Sequence, residues 1–172
     1  MTFLARAVML TSVLAIAACT NPDRFGTDAD AMAGANAGAG AAVPGSAGDP
    51  NSPAYFQQTV GDRVLFAVDQ STLNDEARTV LNGQAGWLME NRDFTAVIEG
   101  HADEQGTREY NLALGARRAN AVQEYLVSRG VASNRLRVIS YGKERPIELC
   151  SDEACYSKNR RAVTVLAAGL SS

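Results

Sequence analysis

Regularly spaced apolar residues are confined to roughly the last two thirds of the chain. Four segments rich in branched and aromatic residues predict strands, and two segments with apolar positions at helical spacing predict helices. In chain order, these are a strand at 62–68, a helix at 76–90, a strand at 94–101, a helix that follows Thr107 and stops at Gly130, and strands at 136–141 and 161–167. Asn74 or Asp75 can cap the first helix and Thr107 the second. The order predicts an α/β (α+β) domain, βαβαββ, with its helices packed on a mixed four-stranded sheet.

The first residues have the pattern of a bacterial export signal. Arg6 provides a positive start, and the apolar run that follows over 8–18 is too short to span a membrane comfortably. The run ends in Ile16-Ala17-Ala18-Cys19, a lipobox, which predicts that residues 1–18 are removed and that Cys19 is lipidated. An ordinary cleavage site with an accidental cysteine is the alternative. Thr20 stands where an aspartate would favour the inner membrane, so we expect the outer membrane.

Residues 19–54 change abruptly in composition. An Ala/Gly-rich run over 31–40 is followed by Pro44, Pro50 and Pro53. Such a segment cannot build a core, and a flexible chain of this length has an end-to-end distance of roughly 30 to 35 Å. We therefore expect a disordered tether over 19–54 and one folded domain over 55–172.

Charge and cysteine usage narrow the choice of partners. Removal of residues 1–18 takes away Arg6 and no acidic residue, which leaves 15 basic and 19 acidic residues and a net charge of −4. Nucleic acid is therefore not an expected partner. Cys150 and Cys155 remain besides Cys19, and export to an oxidising compartment predicts a disulfide between them, with two free thiols as the alternative.

Arg118 is the most informative polar residue of the second predicted helix. With Leu114 set at 0°, helical geometry of about 100° per residue places Arg118 at about 40°. This is the middle of the apolar stripe, between Tyr125 at about 20° and Val122 at about 80°. A charge in such surroundings needs a partner. Asp103, in the turn before the helix, is the nearest candidate.

A fixed cation beside a fixed anion suits a zwitterionic amino-acid group. Arg118 could hold a carboxylate bidentately, and Asp103 could accept hydrogen bonds from an ammonium. An ion pair that serves only the architecture explains the same residues equally well. Asp69, directly after the first predicted strand, could add a second acceptor or could be only a turn residue.

Several motifs occur in a fixed order behind the lipobox and the tether. They are Phe66-x-x-Asp69, Gly100-His101-Ala102-Asp103-Glu104-Gln105-Gly106, Asn111-x-x-Leu114-Gly115-x-x-Arg118-Ala119-x-x-Val122, Ser140-Tyr141-Gly142-Lys143 and Ser157-Lys158-Asn159-Arg160-Arg161-Ala162-Val163. Over about residues 62–167 the chain resembles the family of peptidoglycan-associated lipoproteins (Pal). The resemblance implies an OmpA-like domain that binds the meso-diaminopimelate of the peptidoglycan stem peptide. It also implies a place in the Tol-Pal system of envelope integrity and cell division, with TolB and TolA as partners.

The same resemblance assigns roles to individual residues. Asp103 and Arg118 match the aspartate and arginine that grip the ligand in the family. Asp69 matches the acidic or amide position after the first strand. The remaining matches near the site are Phe66, Asn111 and Arg160.

Two departures from the family pattern affect the site. Ala67-Val68 stands where relatives often carry a glycine or polar residue followed by an aromatic one, so this wall of the pocket is expected to differ. Cys150 and Cys155 stand where the matching loop usually has glycine or alanine. The predicted disulfide is therefore an inference from this chain and not from the family.

A peptidoglycan hydrolase is the competing enzymatic interpretation. Glu99 or Asp103 could act as acid and base, and His101, the only histidine, alternates with both along a strand. No activated nucleophile is evident, and no second histidine completes a metal site. We therefore expect no enzyme activity, no metal and no cofactor, and we expect His101 to be a hydrogen-bonding residue at the strand end.

Overall fold

The computed structural model of the chain describes residues 43–168. The predicted signal peptide, Cys19 and most of the predicted tether lie outside these residues. The helices are α1 (Pro53–Tyr55), α2 (Asp75–Glu90), α3 (Arg108–Ser128) and α4 (Glu153–Asn159), and the strands are β1 (Arg63–Leu65), β2 (Phe94–His101), β3 (Leu136–Gly142) and β4 (Arg161–Ala168). A π-helical turn over Phe56–Gly61 continues α1, and a 3-10 turn over Ser133–Arg135 precedes β3.

The predicted order of strands and long helices is confirmed. Asn74 caps α2 by accepting a hydrogen bond from Ala77 N at 2.7 Å. Thr107 caps α3 by accepting one from Tyr110 N at 3.2 Å. The first strand is shorter than predicted, because only residues 63–65 pair with β4. Helix α4 was not predicted, since seven residues are too few to show a helical period.

The strand order β1-β4-β2-β3 determines where the loops meet. Strand β4 is antiparallel to both β1 and β2, and β2 is parallel to β3. Strands β1, β2 and β3 therefore run in the same direction, and their carboxyl ends lie at one edge of the sheet. The loops that leave β1 and β2 at this edge contain Asp69 and Asp103.

Helices α2 and α3 cover one face of the sheet. The buried core includes Ala96 and Ile98 from β2, Leu81 and Leu88 from α2, and Val122 and Leu126 from α3. Helix α3 approaches β2 very closely, because Gly115 on the helix faces Gly100 on the strand. A Cβ atom added to Gly115 would lie 2.8 Å from Gly100 O. This close approach brings the first half of α3 to the carboxyl end of β2.

The segment 43–54, which the sequence analysis places in the tether, contacts the domain. The Trp87 indole N–H donates to Pro50 O at 2.7 Å. Ser52 is 2% exposed, and its hydroxyl donates to Ser46 O. Beyond it, Phe56 packs on Trp87 with ring centroids 4.9 Å apart. Packing against the domain thus begins on the amino-terminal side of residue 55.

Within residues 43–168, no helix has the length and apolar character needed to cross a membrane.

Candidate ligand-binding site

A cavity of about 250 Å³ lies at the sheet edge where β1 and β2 end. Its walls are Val68 and Asp69 from the loop after β1, Asp103, Gln105 and Gly106 from the loop after β2, and Tyr110, Asn111 and Leu114 from α3. Two carboxylates therefore face a small space with a partly apolar wall. Among the described residues that line it, none is a lysine or an arginine.

Side chains from α3 and from the end of β3 hold the loop that follows β2. Asn111 is 1% exposed, and its amide donates to Gln105 O at 2.7 Å. Lys143 donates to Gly106 O at 2.7 Å. Gly106 has a φ of +89°, a left-handed conformation that glycine adopts without strain. The loop is therefore held in one shape from both sides.

Asp103 is the more buried of the two cavity carboxylates, at 8% exposed. Its Oδ1 accepts a hydrogen bond from Gln105 N at 3.2 Å, and its Oδ2 accepts one from Arg160 Nη1 at 3.2 Å. A carboxylate has room for about four hydrogen bonds in all. Asp103 can therefore still accept a donor from a ligand in the cavity.

Arg118 lies behind the cavity and is fully buried. Its guanidinium donates to three backbone carbonyls: Gln70 O at 2.8 Å, His101 O at 2.8 Å and Ala67 O at 3.2 Å. The predicted hydrogen-bonded ion pair with Asp103 is not formed: Nε, Nη1 and Nη2 of Arg118 each donate to a backbone carbonyl, and Arg160 contacts Asp103 instead. Burial lowers the pKa of Arg118 to about 10, although the negative charges of Asp103 and Asp69 oppose this shift. The side chain therefore stays charged at neutral pH.

Arg160 is the arginine that contacts Asp103. It is 4% exposed. Besides its bond to Asp103, it donates to Phe66 O at 3.2 Å and to both carboxylate oxygens of Glu153. Hydrogen bonding to Glu153 is the largest cause that raises the pKa of Arg160. Arg160 thus joins the end of β1, the loop after β2 and helix α4.

Phe66 supports the arginines and does not line the cavity. Its ring is 5% exposed, and Arg118 Cζ lies 5.2 Å from the ring centroid, within cation–π range. Its backbone carbonyl is the acceptor for Arg160. Phe66 therefore shapes the site from behind.

Asp69 and Tyr110 meet at the mouth of the cavity. The Tyr110 hydroxyl donates to Asp69 Oδ1, which links the loop after β1 to the first turn of α3. Asp69 has a φ of +57°, and aspartate tolerates this left-handed conformation better than most residues. The bond leaves Oδ2 of Asp69 available to a ligand.

A disulfide joins Cys150 to Cys155, with their Cα atoms 5.7 Å apart. Asp152, within the closed loop, caps α4 by accepting a hydrogen bond from Cys155 N at 3.1 Å. The bridge therefore closes over the amino-terminal turn of α4, which carries Glu153.

Comparison with known proteins places this geometry in a family. The sequence profile of the OmpA family matches residues 65–160. A peptidoglycan-associated lipoprotein of Mesorhizobium japonicum is 53% identical over 159 residues, which cover 92% of this chain and 89% of that protein. One of Rhizobium meliloti is 52% identical and covers 92% of this chain and 85% of that protein. The chain belongs to the OmpA family and, within it, to the peptidoglycan-associated lipoproteins.

Solved structures support this assignment to the OmpA family. The crystal structure of the peptidoglycan-associated lipoprotein of Burkholderia pseudomallei matches with a TM-score of 0.62 at 39% identity, over 69% of this chain and 97% of that one. The carboxy-terminal domain of Helicobacter pylori MotB matches with a TM-score of 0.59 at 22% identity, over 63% of this chain and 86% of that one. The MotB likeness shows the fold alone.

The predicted site residues of this OmpA-family domain form two layers. Asp69, Asp103 and Asn111 line the cavity. Behind them, Arg118 binds backbone carbonyls and packs on the Phe66 ring, and Arg160 binds Phe66 O and the carboxylate of Asp103. The sequence analysis therefore identified the neighbourhood but not the layering, since helical angles show which face of α3 is buried and not how deep each side chain lies.

Sequence reasoning did not assign to the site four residues that line the cavity of this OmpA-family domain: Gln105, Gly106, Tyr110 and Leu114. Tyr110 closes the mouth, and Gln105 supplies both a wall and the N–H that binds Asp103. Tyr110 carried a usable signal, because it stands in the first turn of a helix that follows a strand end. Gln105 acts through its backbone, which side-chain identity does not reveal.

His101 lies beside the site and differs from expectation. Its ring is 2% exposed, and neither ring nitrogen has a hydrogen-bond partner among the described residues. The ring stacks on Tyr141 at 5.6 Å instead. Burial, together with the charges of Arg161 and Arg145, lowers the pKa of His101 to about 4. Its backbone carbonyl, not its ring, is the group that binds Arg118.

Within residues 43–168, one group of side chains has the spacing of metal ligands: Cys150, Asp152 and Cys155. The disulfide removes both thiolates from this set, which leaves a single carboxylate. A metal ion needs more ligands than that.

Proposed function

We propose that this chain is a lipid-anchored protein of the outer membrane whose periplasmic domain binds peptidoglycan noncovalently, through the meso-diaminopimelate of the stem peptide. The observation that carries the proposal is the cavity at the end of β2, where Asp103 is held in place and retains acceptor capacity. A ligand ammonium would donate to Asp103 and to Asp69. Relatives that are 53% and 52% identical carry the name peptidoglycan-associated lipoprotein.

The charges around the cavity suit a zwitterionic ligand. Arg118 and Arg160 lie behind the cavity carboxylates, so an amino-acid group in the cavity would meet both negative and positive charges. Arg118 is fully buried and bound to three carbonyls. We therefore propose that Arg118 in this conformation supports the cavity wall and contributes a positive potential. It does not bind the ligand carboxylate bidentately, as the sequence had suggested.

Retention on cell-wall sacculi tests the proposal. Purified domain should bind sacculi that contain meso-diaminopimelate more strongly than sacculi with lysine or with amidated diaminopimelate. Asp103→Asn should lose at least about tenfold in affinity, because a charged hydrogen bond becomes a neutral one in a nearly buried site. Glu124→Gln, an exposed carboxylate on α3, is the matched control. Equal retention on all three sacculi would remove the claim of diaminopimelate recognition.

The same incubation tests the hydrolase alternative. Release of muropeptides that stops on substitution of Asp103 would replace binding with catalysis as the function of the site.

A second candidate is a protein-interaction module that binds TolB and TolA. Two exposed apolar side chains favour it, since Val68 and Tyr110 line the cavity and are 56% and 44% exposed. We propose that TolB uses this same face and therefore competes with cell-wall fragments. Tight binding of both partners at once would contradict the shared face.

The anchor completes the proposed mechanism. A lipidated Cys19 would hold the chain in the outer membrane, the Ala/Gly-rich segment would span the gap, and the domain would bind the wall reversibly. Many copies on one polymeric lattice would add avidity. Cys19→Ser should release the protein from membranes in cell fractionation, while the isolated domain keeps its affinity for sacculi.

A further inference from the structure

We infer that Glu153, held by the Cys150–Cys155 disulfide, is a positioning residue that tunes the ligand affinity of the cavity through Arg160 and Asp103. The inference rests on the proposed function, because its effect is measured on ligand binding. Asp103 lines the cavity, whereas Glu153 and Arg160 do not.

A single guanidinium is shared between two carboxylates. Arg160 Nη1 donates to Asp103 Oδ2 at 3.2 Å and to Glu153 Oε2 at 3.3 Å, and Nη2 donates to Glu153 Oε1. Arg160 itself is 4% exposed and is also fixed by Phe66 O. Because burial and the bonds to Phe66 O and Asp103 hold Arg160 in place, loss of Glu153 would leave Asp103 as its only carboxylate partner among the described residues.

The charge balance gives the direction of the effect. With Glu153 in place, part of the charge of Arg160 is neutralised, and Asp103 keeps more of its negative charge for a ligand ammonium. Without Glu153, Arg160 neutralises Asp103 more fully and repels the ammonium. Glu153 therefore favours cation binding although it does not touch the ligand.

The disulfide supplies the geometry. Glu153 has a side chain that is 67% exposed, and an exposed side chain on a free loop would form this contact only part of the time. The bridge closes the chain on both sides of Glu153, and the Asp152 cap fixes the first turn of α4. The pKa of the Glu153 carboxyl lies below its ordinary value because Arg160 donates to it.

The inference is tested by comparing the affinities of single and combined variants for a stem tripeptide that ends in meso-diaminopimelate. Glu153→Gln should weaken binding about two- to fivefold, the range for a partly exposed ion pair. Glu148→Gln removes a carboxylate from the neighbouring loop, where it pairs with Lys158, and should leave binding unchanged. The double substitution Cys150→Ser with Cys155→Ser should weaken binding by about as much as Glu153→Gln. Adding Glu153→Gln to it should weaken binding no further.

Unchanged binding by Glu153→Gln would overturn the inference. Additive losses in the combined variant would also overturn it, because they would show that the disulfide affects binding independently of Glu153. A ligand-free measurement separates this outcome from failure of the proposed function. By carboxyl NMR, the pKa of Glu153 should rise towards its ordinary value in the double serine variant. An unchanged pKa would show that the disulfide does not hold Glu153 against Arg160. Binding that Asp103→Asn does not weaken would instead contradict the proposed function.

Discussion

At the scale of single residues, the site depends on two buried arginines with different acceptors. Arg118 binds two carbonyl oxygens of the loop after β1 and one at the end of β2, and Arg160 binds two carboxylates and one carbonyl. Carbonyls solvate a guanidinium without cancelling its charge, whereas carboxylates cancel it. Arg118 therefore leaves a positive potential behind the cavity, and Arg160 orients Asp103.

Substitution Arg118→Ala should lower the free energy of unfolding by about 3 kcal/mol or more, because three carbonyls lose a charged donor in a buried place. Urea denaturation measures this. Arg117→Ala is the matched control, since Arg117 is the exposed neighbour on the same helix, and it should change stability by less than about 0.5 kcal/mol. Equal effects of the two substitutions would contradict the role of Arg118 in joining the loops.

His101 should make the domain sensitive to mild acid. Its folded pKa of about 4 lies below the ordinary 6.5, so between these values the unfolded chain binds a proton that the folded domain does not. The free energy of unfolding should therefore fall as pH falls from 6.5 to 4, by about 3 kcal/mol from this residue.

Denaturation of the wild type and of His101→Phe at several pH values between 7 and 4 measures this contribution. The variant should lose that part of the pH dependence, because phenylalanine keeps an aromatic ring against Tyr141 and does not titrate. Parallel pH profiles for the two proteins would show that His101 is not the group responsible.

At the scale of elements, the packing of α3 on β2 sets the position of the cavity. Gly100 and Gly115 allow the helix backbone to lie against the strand backbone. Asn111, about one turn before Gly115 on α3, then reaches the loop after β2, and Leu114 lines the cavity. A larger residue at the contact would push the helix away and open the wall of the cavity.

Gly115→Ala should destabilise the domain by about 2 kcal/mol, because the added methyl group meets the Gly100 backbone and the Ser140 hydroxyl. Gly86→Ala is the matched control in α2, where an added Cβ meets nothing within 4 Å. It should stabilise by about 0.5 to 1 kcal/mol through helix propensity. Thermal unfolding compares the two, and stabilisation by both would show that the α3–β2 contact can relax.

At the scale of the whole molecule, the domain includes residues that precede its first strand. Trp87, the only tryptophan, packs on Phe56 and donates to Pro50 O. Ser52 is buried and caps α1 by accepting a hydrogen bond from Tyr55 N. The chain that leads towards the proposed anchor is thus attached to the end of α2.

A fragment that begins at residue 43 should be more stable than one that begins at residue 55, by about 1 to 3 kcal/mol, because the shorter one loses the acceptor of the Trp87 indole and most of α1 with its cap. Denaturation followed by the fluorescence of the single tryptophan measures this. Identical midpoints would show that residues 43–54 contribute nothing to the stability of the domain.

Sequence reasoning located the strands, the two long helices and their caps, because these depend on local spacing and on side chains next to each helix end. It also placed Asp103 at the carboxyl end of the second strand and Asp69 directly after the first, and the family resemblance added Asn111; all three line the cavity. It did not find α4, which is too short to show a period. It paired Arg118 with Asp103, because helix angles cannot rank two arginines that compete for one carboxylate.

The amino-acid sequence by itself therefore determined the fold class, the family and the edge of the sheet that carries the site. These follow from periodicity, turn chemistry and motif order, all of which act over short stretches of chain. Only the tertiary structure decided that Arg160 binds Asp103 and that Arg118 binds three carbonyls. These contacts join residues 48 to 57 positions apart, apart from the bond to His101 O, and the depth of each side chain is set by how the helices and loops pack.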